Sequence, residues 1–329
     1  MPASTLVTGG RGFVGAWLCK ALLSGSERVV SLDRPGPARN GRPSTLELLG
    51  IAGGVTEVEG DLLDPDLLRH TLAGHEVDTV FHLAAQTLVG TAAESPASTF
   101  DVNVRGTWTL LDACHELGVE RVVVASSDKA YGAHDELPYR EDFALRPTAP
   151  YEASKAAADL IARSYWHSYG LPVAVTRFAN VYGGGDTNFS RLIPEAVSAV
   201  LDGRRPVLRS GGSPERDFLY AEDAAAAYVA IADALDRAEV RGEAFNAGSG
   251  RPHPVREVVE LIARIAGTDV ELDIRGSGNP PGEIDRQYVD PAKLREVVGW
   301  EPRIELEDGL GLTVDWYRDH PEARAPAPS

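Results

Sequence analysis

Six short apolar runs, STLVT, RVVSL, VTEVE, TVFHL, RVVVA and VAVTRF, recur along residues 4–178. Between them stand segments with one apolar stripe, WLCKALL, DLLRHTL, NVRGTWTLLDACHEL and YEASKAAADLIARSYWHSY. A strand that is apolar on both faces must be covered on both faces. Parallel strands joined by crossover helices meet that demand, so the alternation predicts an α/β protein built on a doubly wound parallel sheet. After Tyr182 the rhythm stops. GGGDTNFSRLIP and RSGGSPERDFLY are rich in Gly and Pro, and later elements are irregularly spaced. The chain therefore divides into a sheet domain, 1–182, and a smaller C-terminal lobe, 183–329, with 216–240 returning to pack on the first domain. PGPARNGRPS (35–44) reads as a surface loop and PEARAPAPS as a frayed tail.

The 329 residues include 32 Lys and Arg against 49 Asp and Glu, a formal charge of −17. That field opposes nonspecific binding to nucleic acid or to an anionic membrane. An anionic ligand must then be held by local arginines or helix N-termini. The two cysteines, Cys19 and Cys114, stand in helical segments at no metal-ligand spacing, and no HxH, CxxC or acidic triad points to a metal. They read as reduced core residues, which fits a cytoplasmic protein. MPASTLVTGG has no basic leader before its first strand, and no apolar run approaches a membrane span.

TGGRGFVG joins the first strand to the first helix and sets Gly9, Gly12 and Gly15 at three-residue spacing, with Phe13 and Val14 at the helix start. The first glycine permits a tight turn, the second lets a pyrophosphate approach the backbone, and the third lets the helix pack on the sheet. The helix N-terminus then faces the phosphates. Glycine-rich turns are common, but RVVSLD ends in Asp33, where an acid accepts ribose hydroxyls. Asp33 would repel a 2′-phosphate and selects NAD; Arg34 is the neighbour that could accept one. GDLLD sets Asp61 and Leu62 beside the adenine, unless Asp61 caps the next helix. Leu83, Ala84, Ala85 and Gln86, in FHLAAQ, line the diphosphate side.

YEASK puts Tyr151 and Lys155 on one helical face. A phenol with a pKa of about 10 is a poor base at neutral pH, and a nearby ammonium favours the phenolate. The lysine can also hold a nicotinamide ribose. The pair alone is common on solvated helices; here it follows a dinucleotide fingerprint and the strand-end serines Ser126 and Ser127.

TGGRGFVG, Asp33, GDLLD, FHLAAQ, SSDKAYG, YEASK and RFANVYG stand in the order of the extended short-chain dehydrogenase/reductase family. Within it the chain resembles the NAD-dependent nucleotide-sugar epimerases and dehydratases, and ERDFLYAEDAA, FNAGSG and GEIDRQYVD extend the likeness almost to the C-terminus. The resemblance implies a Rossmann NAD-binding domain and an oxidation triad of Ser127, Tyr151 and Lys155. Ser127 would hydrogen-bond the sugar O4, Tyr151 would take its proton, and the C4 hydride would pass to NAD⁺. Asn103 would order the active-site end of its helix.

The resemblance branches at Asp128-Lys129. Epimerases of this kind carry small or apolar residues after the triad Ser or Thr. The 4,6-dehydratases need two further proton-transferring groups, to remove the C5 proton and to help the C6 hydroxyl leave. The dTDP-glucose and GDP-mannose enzymes carry a glutamate at the second position, whereas CDP-glucose 4,6-dehydratases carry Asp-Lys, as here. GGGD (183–186) and RLIP (191–194) also look like the CDP-glucose enzymes; FLYAED and GEIDRQYVD are closer to epimerases. Lys129 is either a base of depressed pKa or a charge that stabilises the enolate, and the bland alternative for the pair is a surface ion pair. In the lobe, Arg216 resembles the family's diphosphate arginine and Asn180 its diphosphate or sugar contact. Asn188, Arg191, Leu192 and Arg286 are further substrate candidates, Arg191 and Arg286 being equally readable as surface residues.

Helices near 103–117 and 151–169 carry surplus apolar residues, Trp108, Leu110, Leu160, Ile161 and Tyr165. Related enzymes pair these helices with their symmetry mates, so we expect a homodimer through a four-helix bundle. The expected activity is an NAD-dependent NDP-hexose 4,6-dehydratase. The alternatives are a C4 epimerase of the UDP-glucose or UDP-uronic acid type, a uronate decarboxylase, or an NAD-binding regulator that has lost catalysis.

Overall fold

The computed structural model describes residues 4–36, 42–276 and 284–325. Residues 37–41 of the expected surface loop and 326–329 of the expected frayed tail lie outside the described residues. The six apolar runs form β1 (Ser4–Thr8), β2 (Arg28–Asp33), β3 (Val55–Glu59), β4 (Thr79–His82), β5 (Arg121–Ala125) and β6 (Val173–Phe178). A seventh strand, β7 (Ala244–Ala247), joins them in a sheet of order β7-β6-β5-β4-β1-β2-β3, parallel throughout. β1, β4, β6 and β7 are buried along their whole length, which is why the first three read as apolar runs without alternation.

One face of the sheet is covered by α1 (Phe13–Ser24); the opposite face by α2 (Pro65–Gly74), α3 (Gly106–Leu117) and α4 (Pro150–Tyr169). Beyond residue 182 come α5 (Leu192–Leu201), α6 (Ala221–Asp233), α7 (Val255–Ala266) and α8 (Leu306–Asp319). α6 packs along α1, whereas α5, α7 and α8 pack on one another. Their core is continuous with the α1 layer, through Trp17 and Tyr220 among others. The order reverses between β1 and β4, and a crevice at the carboxyl ends of such strands is where open α/β sheets hold ligands. A three-stranded patch, His253–Pro254, Glu215–Arg216 and Arg286–Gln287, is one of several short pairings in the second half.

Cys19 and Cys114 are buried free thiols, and burial pushes Cys19 up to about 12. Among the described residues no helix is long and apolar enough to cross a membrane. Of the five surplus apolar residues, Trp108 and Leu160 face solvent, at 42% and 58% exposure. Leu110 and Tyr165 correct the expectation: both are buried in the layer between sheet and helices, where their positions on α3 and α4 point inward.

Candidate active site

Gly9 leaves β1 at φ +79°, and a Cβ there would lie 2.8 Å from the Ala84 nitrogen. A Cβ at Gly15 would lie 2.2 Å from the Gly9 carbonyl oxygen, so only glycine lets α1 approach the turn. Gly12 donates its N–H to the Gly9 carbonyl at 3.0 Å and starts α1 without a side-chain cap. The first-turn N–H groups, Phe13 and Val14 included, are thereby left for an anion. At the end of β2, Asp33 accepts from the Arg11 N–H at 3.1 Å and the Ser31 hydroxyl at 2.5 Å, and burial raises its pKa. Arg34 is exposed. Asp61 accepts from the Leu63 N–H at 2.9 Å in a local turn; the cap of α2 is Asp64, three residues later. Leu62 is buried, and a Cβ at Gly106 would lie 2.6 Å from its methyl. The cradle that a Cβ would fill, the uncapped helix and the acid at the end of β2 fit a dinucleotide.

Beyond β4, Leu83, Ala84, Ala85 and Gln86 are half-buried. Asn103 sits in a π-helical turn, Asp101–Arg105, that leads into α3. Its side chain accepts from the Gln86 N–H at 2.7 Å and donates to the Gln86 carbonyl and the Ser154 hydroxyl, both at 2.9 Å. The Gln86 main chain is thus fixed to α4, while its amide NH₂ turns back to the Leu88 carbonyl at 2.9 Å. His82 lies between the Thr8 and Thr107 hydroxyls at 2.8 and 3.0 Å, and burial pushes it down to about 3, so it is neutral.

β5 delivers the serines. The Ser126 hydroxyl donates to the Lys155 carbonyl at 3.1 Å, and the Lys155 ammonium donates to the Ala125 carbonyl at 2.8 Å. Burial lowers Lys155 to about 8. Ser127 caps a short 3₁₀ turn, Asp128–Tyr131, by accepting from the Lys129 N–H at 3.2 Å, and it donates to Asp128 at 3.1 Å. Burial raises the Tyr151 phenol to about 12, against the charge of Arg191 and a hydrogen bond to Ser127. Arg191, at the start of α5, is a cation acting on the phenol that the YEASK spacing does not reveal.

Asp128 is 2% exposed, and one of its carboxylate oxygens, Oδ2, has no partner among the described residues. Burial raises its pKa, opposed by Lys129, the Ser127 hydrogen bond and Arg216. The surface ion-pair alternative therefore fails, because a buried acid is not a solvated one. Lys129 reaches the Gln287 amide oxygen at 3.5 Å. Arg216 is buried and donates to the Glu215 and Asp285 carbonyls at 2.9 and 3.2 Å.

The other lobe residues are spread more widely. Asn180 donates to the Asp217 carbonyl at 3.1 Å, and Asn188 accepts from Ser190 at 2.7 Å. Arg191, at the start of α5 beside the half-buried Leu192, donates to Asp186 at 2.9 Å. Arg286 is exposed and pairs with Glu215 at 2.5 Å, because strand alternation turns it outward where Gln287 turns inward. It lines a separate surface cavity of about 720 Å³ together with His134, Arg140 and Phe143.

A family profile described as GDP-mannose 4,6 dehydratase matches residues 6–313. The chain belongs to this family. It is 34% identical to a dTDP-glucose 4,6-dehydratase of Streptomyces niveus, over 96% of this chain and 93% of the relative. It is 33% identical to a trifunctional UDP-glucose 4,6-dehydratase, 3,5-epimerase and 4-keto-reductase of Arabidopsis thaliana, over 98% of this chain but 48% of that protein, so it spans about half its length. Among solved structures it is similar to a dTDP-glucose 4,6-dehydratase of Streptomyces venezuelae with NAD bound, at TM-score 0.86 and 31% identity, covering 98% and 99% of the two chains. A UDP-glucose 4-epimerase of Thermotoga maritima with UDP-glucose gives 0.87 and 28%, covering 96% and 99%.

Within this family frame, sequence reasoning passed over His82 and Gln287. Gln287 stood in the quoted GEIDRQYVD, next to Arg286, but nothing local said which of the two faces inward.

Proposed function

We propose that the protein is an NAD-dependent NDP-hexose 4,6-dehydratase. The observation that carries this reading is Asp128, an acid buried beside Lys129 and hydrogen-bonded to Ser127, with one oxygen still unpaired. NAD would lie across Gly9, Gly12 and Gly15 with its ribose on Asp33. When bound it supplies a hydride acceptor for C4 and a donor for C6. The chain handles the protons. Tyr151 takes the O4 proton while Ser127 holds O4; Lys155 anchors the ribose side of α4. Loss of water across C5–C6 requires one group to take the C5 proton and another to hand a proton to O6. Asp128, whose raised pKa helps it keep a proton, suits the second task, and Lys129 is the basic group beside it. Arg216 and Arg191 supply positive charge for the diphosphate in an acidic chain.

The 4-epimerase reading uses the same triad, and the epimerase likeness reported above favours it as the runner-up. We further propose a cytoplasmic homodimer in which the exposed Trp108 and Leu160 are covered; sedimentation at micromolar concentration tests the assembly. Incubating the purified protein with a panel of NDP-hexoses and weighing the products tests the activity. Loss of 18 Da, one water, is the expected result; unchanged mass with inverted C4 would put the epimerase first.

A further inference from the structure

The mini-strand Arg286–Gln287 carries a second buried group without a partner. Gln287 is fully buried and lies in register with Arg216 on the neighbouring strand, and its carbonyl accepts from the Asp217 N–H at 3.1 Å. Its amide oxygen faces Lys129 at 3.5 Å, while its amide NH₂ has no acceptor among the described residues. The orientation is chemically forced. A lysine side chain offers only donors, so the amide must present oxygen to it and turn its NH₂ elsewhere. A buried NH₂ without an acceptor is costly, as is a buried carboxylate oxygen without a donor. Gln287 Nε2 and Asp128 Oδ2 are both without a partner among the described residues, and Lys129 links them: it follows Asp128 in the chain and reaches Gln287, in one polar cluster with Ser127 and Tyr151. One ligand that carries adjacent hydroxyls can satisfy both.

We infer that Gln287 is a further functional residue of this site: its amide oxygen positions Lys129, and its NH₂ donates to a hydroxyl oxygen of the hexose. The inference rests on the dehydratase reading for the task given to Lys129, but its binding half does not. One hexose hydroxyl accepts from Gln287 and a neighbouring one meets Asp128 Oδ2, so the sugar completes both orphaned groups and brings Lys129 to a fixed place beside C5.

Two variants test this on the full-length protein loaded with NAD. Gln287→Leu keeps the volume and removes both polar atoms; Gln287→Glu keeps an acceptor opposite Lys129 and removes the NH₂. Calorimetry measures affinity for dTDP-, UDP-, GDP- and CDP-glucose, each against its free nucleoside diphosphate. Both variants should lose roughly tenfold in hexose-sugar affinity with little loss for the free diphosphate. In Gln287→Leu, water loss should fall roughly ten- to a hundredfold, while the first reduction of NAD⁺, read at 340 nm, stays within about threefold of wild type. Because the NH₂ is already unpaired and the half-buried Lys129 gives up only a 3.5 Å contact, Gln287→Leu should unfold close to wild type on heating, which separates the effect from a folding defect. An unchanged ratio of sugar to diphosphate affinity in both variants overturns the inference. So does an equal fall of reduction and water loss, which would mark a general structural role. A wild type that binds the sugars but releases no water overturns the dehydratase reading alone, since the affinity ratio still decides Gln287. A wild type that binds none of the sugars overturns both.

Discussion

Lys155 and Asp128 are both ionisable side chains buried at the end of β5, 6% and 2% exposed, and their surroundings differ in kind. The Lys155 ammonium rests on the Ala125 carbonyl, its own carbonyl receives Ser126, and the adjacent Ser154, through Asn103, ties the Gln86 loop to the same helix. Among the described residues Asp128 has a partner for one oxygen and none for the other, and Gln287, which faces Lys129, repeats the pattern. Around Lys155 the chain fixes its own polar side chains before any ligand arrives. On the sugar side it leaves an acceptor and a donor to be completed. Buried groups left so cost about 1–3 kcal/mol each, and they persist where a ligand supplies the missing half.

If the two sides divide the chemistry in this way, mutations should split the reaction. Tyr151→Phe removes the acceptor of the O4 proton, so turnover should fall about a thousand- to ten-thousandfold with the cofactor left oxidised. Asp128→Asn and Lys129→Met should lower water loss by about a hundredfold or more, yet still show reduced cofactor at 340 nm, because the triad is intact. Turnover of both latter variants within a few-fold of wild type would erase the division and move the epimerase reading to first place.

How far the sequence reveals each side follows from the same contrast. The coenzyme side is built from local signals: three glycines at fixed spacing, an acid at a strand end, and two residues on one helical turn. Of the six strands of residues 4–178, β1, β4 and β6 are buried on both faces and show it in their composition, whereas β3, at the sheet edge, is largely exposed. β7 is only four residues, AFNA, and it earns its place by pairing with β6 across more than sixty residues of intervening chain, which no local pattern encodes. Gln287 is similar. Its burial depends on which face of a two-residue strand meets Lys129, and strand alternation says only that Arg286 and Gln287 differ. His82 lies within the run TVFHL, and only the Thr8 and Thr107 hydroxyls, distant in sequence, mark it off from its neighbours.

The completed side also carries stability. Arg177 grips Asp159 of α4 with two bonds of 2.7 and 3.0 Å, in a pair 2% and 0% exposed, and donates to the Tyr131 hydroxyl at 3.0 Å. Tyr131 ends the 3₁₀ turn that begins with Asp128, so this network joins the helix of Tyr151 to the turn of Lys129. Arg177→Met leaves Asp159 buried without its partner and should lower unfolding free energy by about 3–5 kcal/mol in urea titration. Replacing both partners by apolar residues should recover much of it. A single variant as stable as wild type would mean that the network does not hold these elements together.

The smallest effect expected is the most diagnostic of the incomplete side. Burial raises the Asp128 pKa above its ordinary value, more than Lys129, Ser127 and Arg216 lower it. The folded state therefore favours the protonated acid. Its contribution to stability is fully present below the unfolded carboxylate range and is lost as pH rises through the folded value. Asparagine resembles the protonated form at every pH. Asp128→Asn should then raise the melting temperature at pH 7–8 and lose that advantage as pH falls toward about 4. Lys155, lowered to about 8, has the opposite sign: its contribution is present above its unfolded value and is lost as pH falls through 8. It is common to both proteins and cancels in the difference. Thermal melts of the pair at pH 5, 7 and 8 read the sign directly. An asparagine variant less stable than wild type at pH 8 would show that the chain already satisfies Asp128 in its charged form, and the contrast between the two sides of the site would be gone.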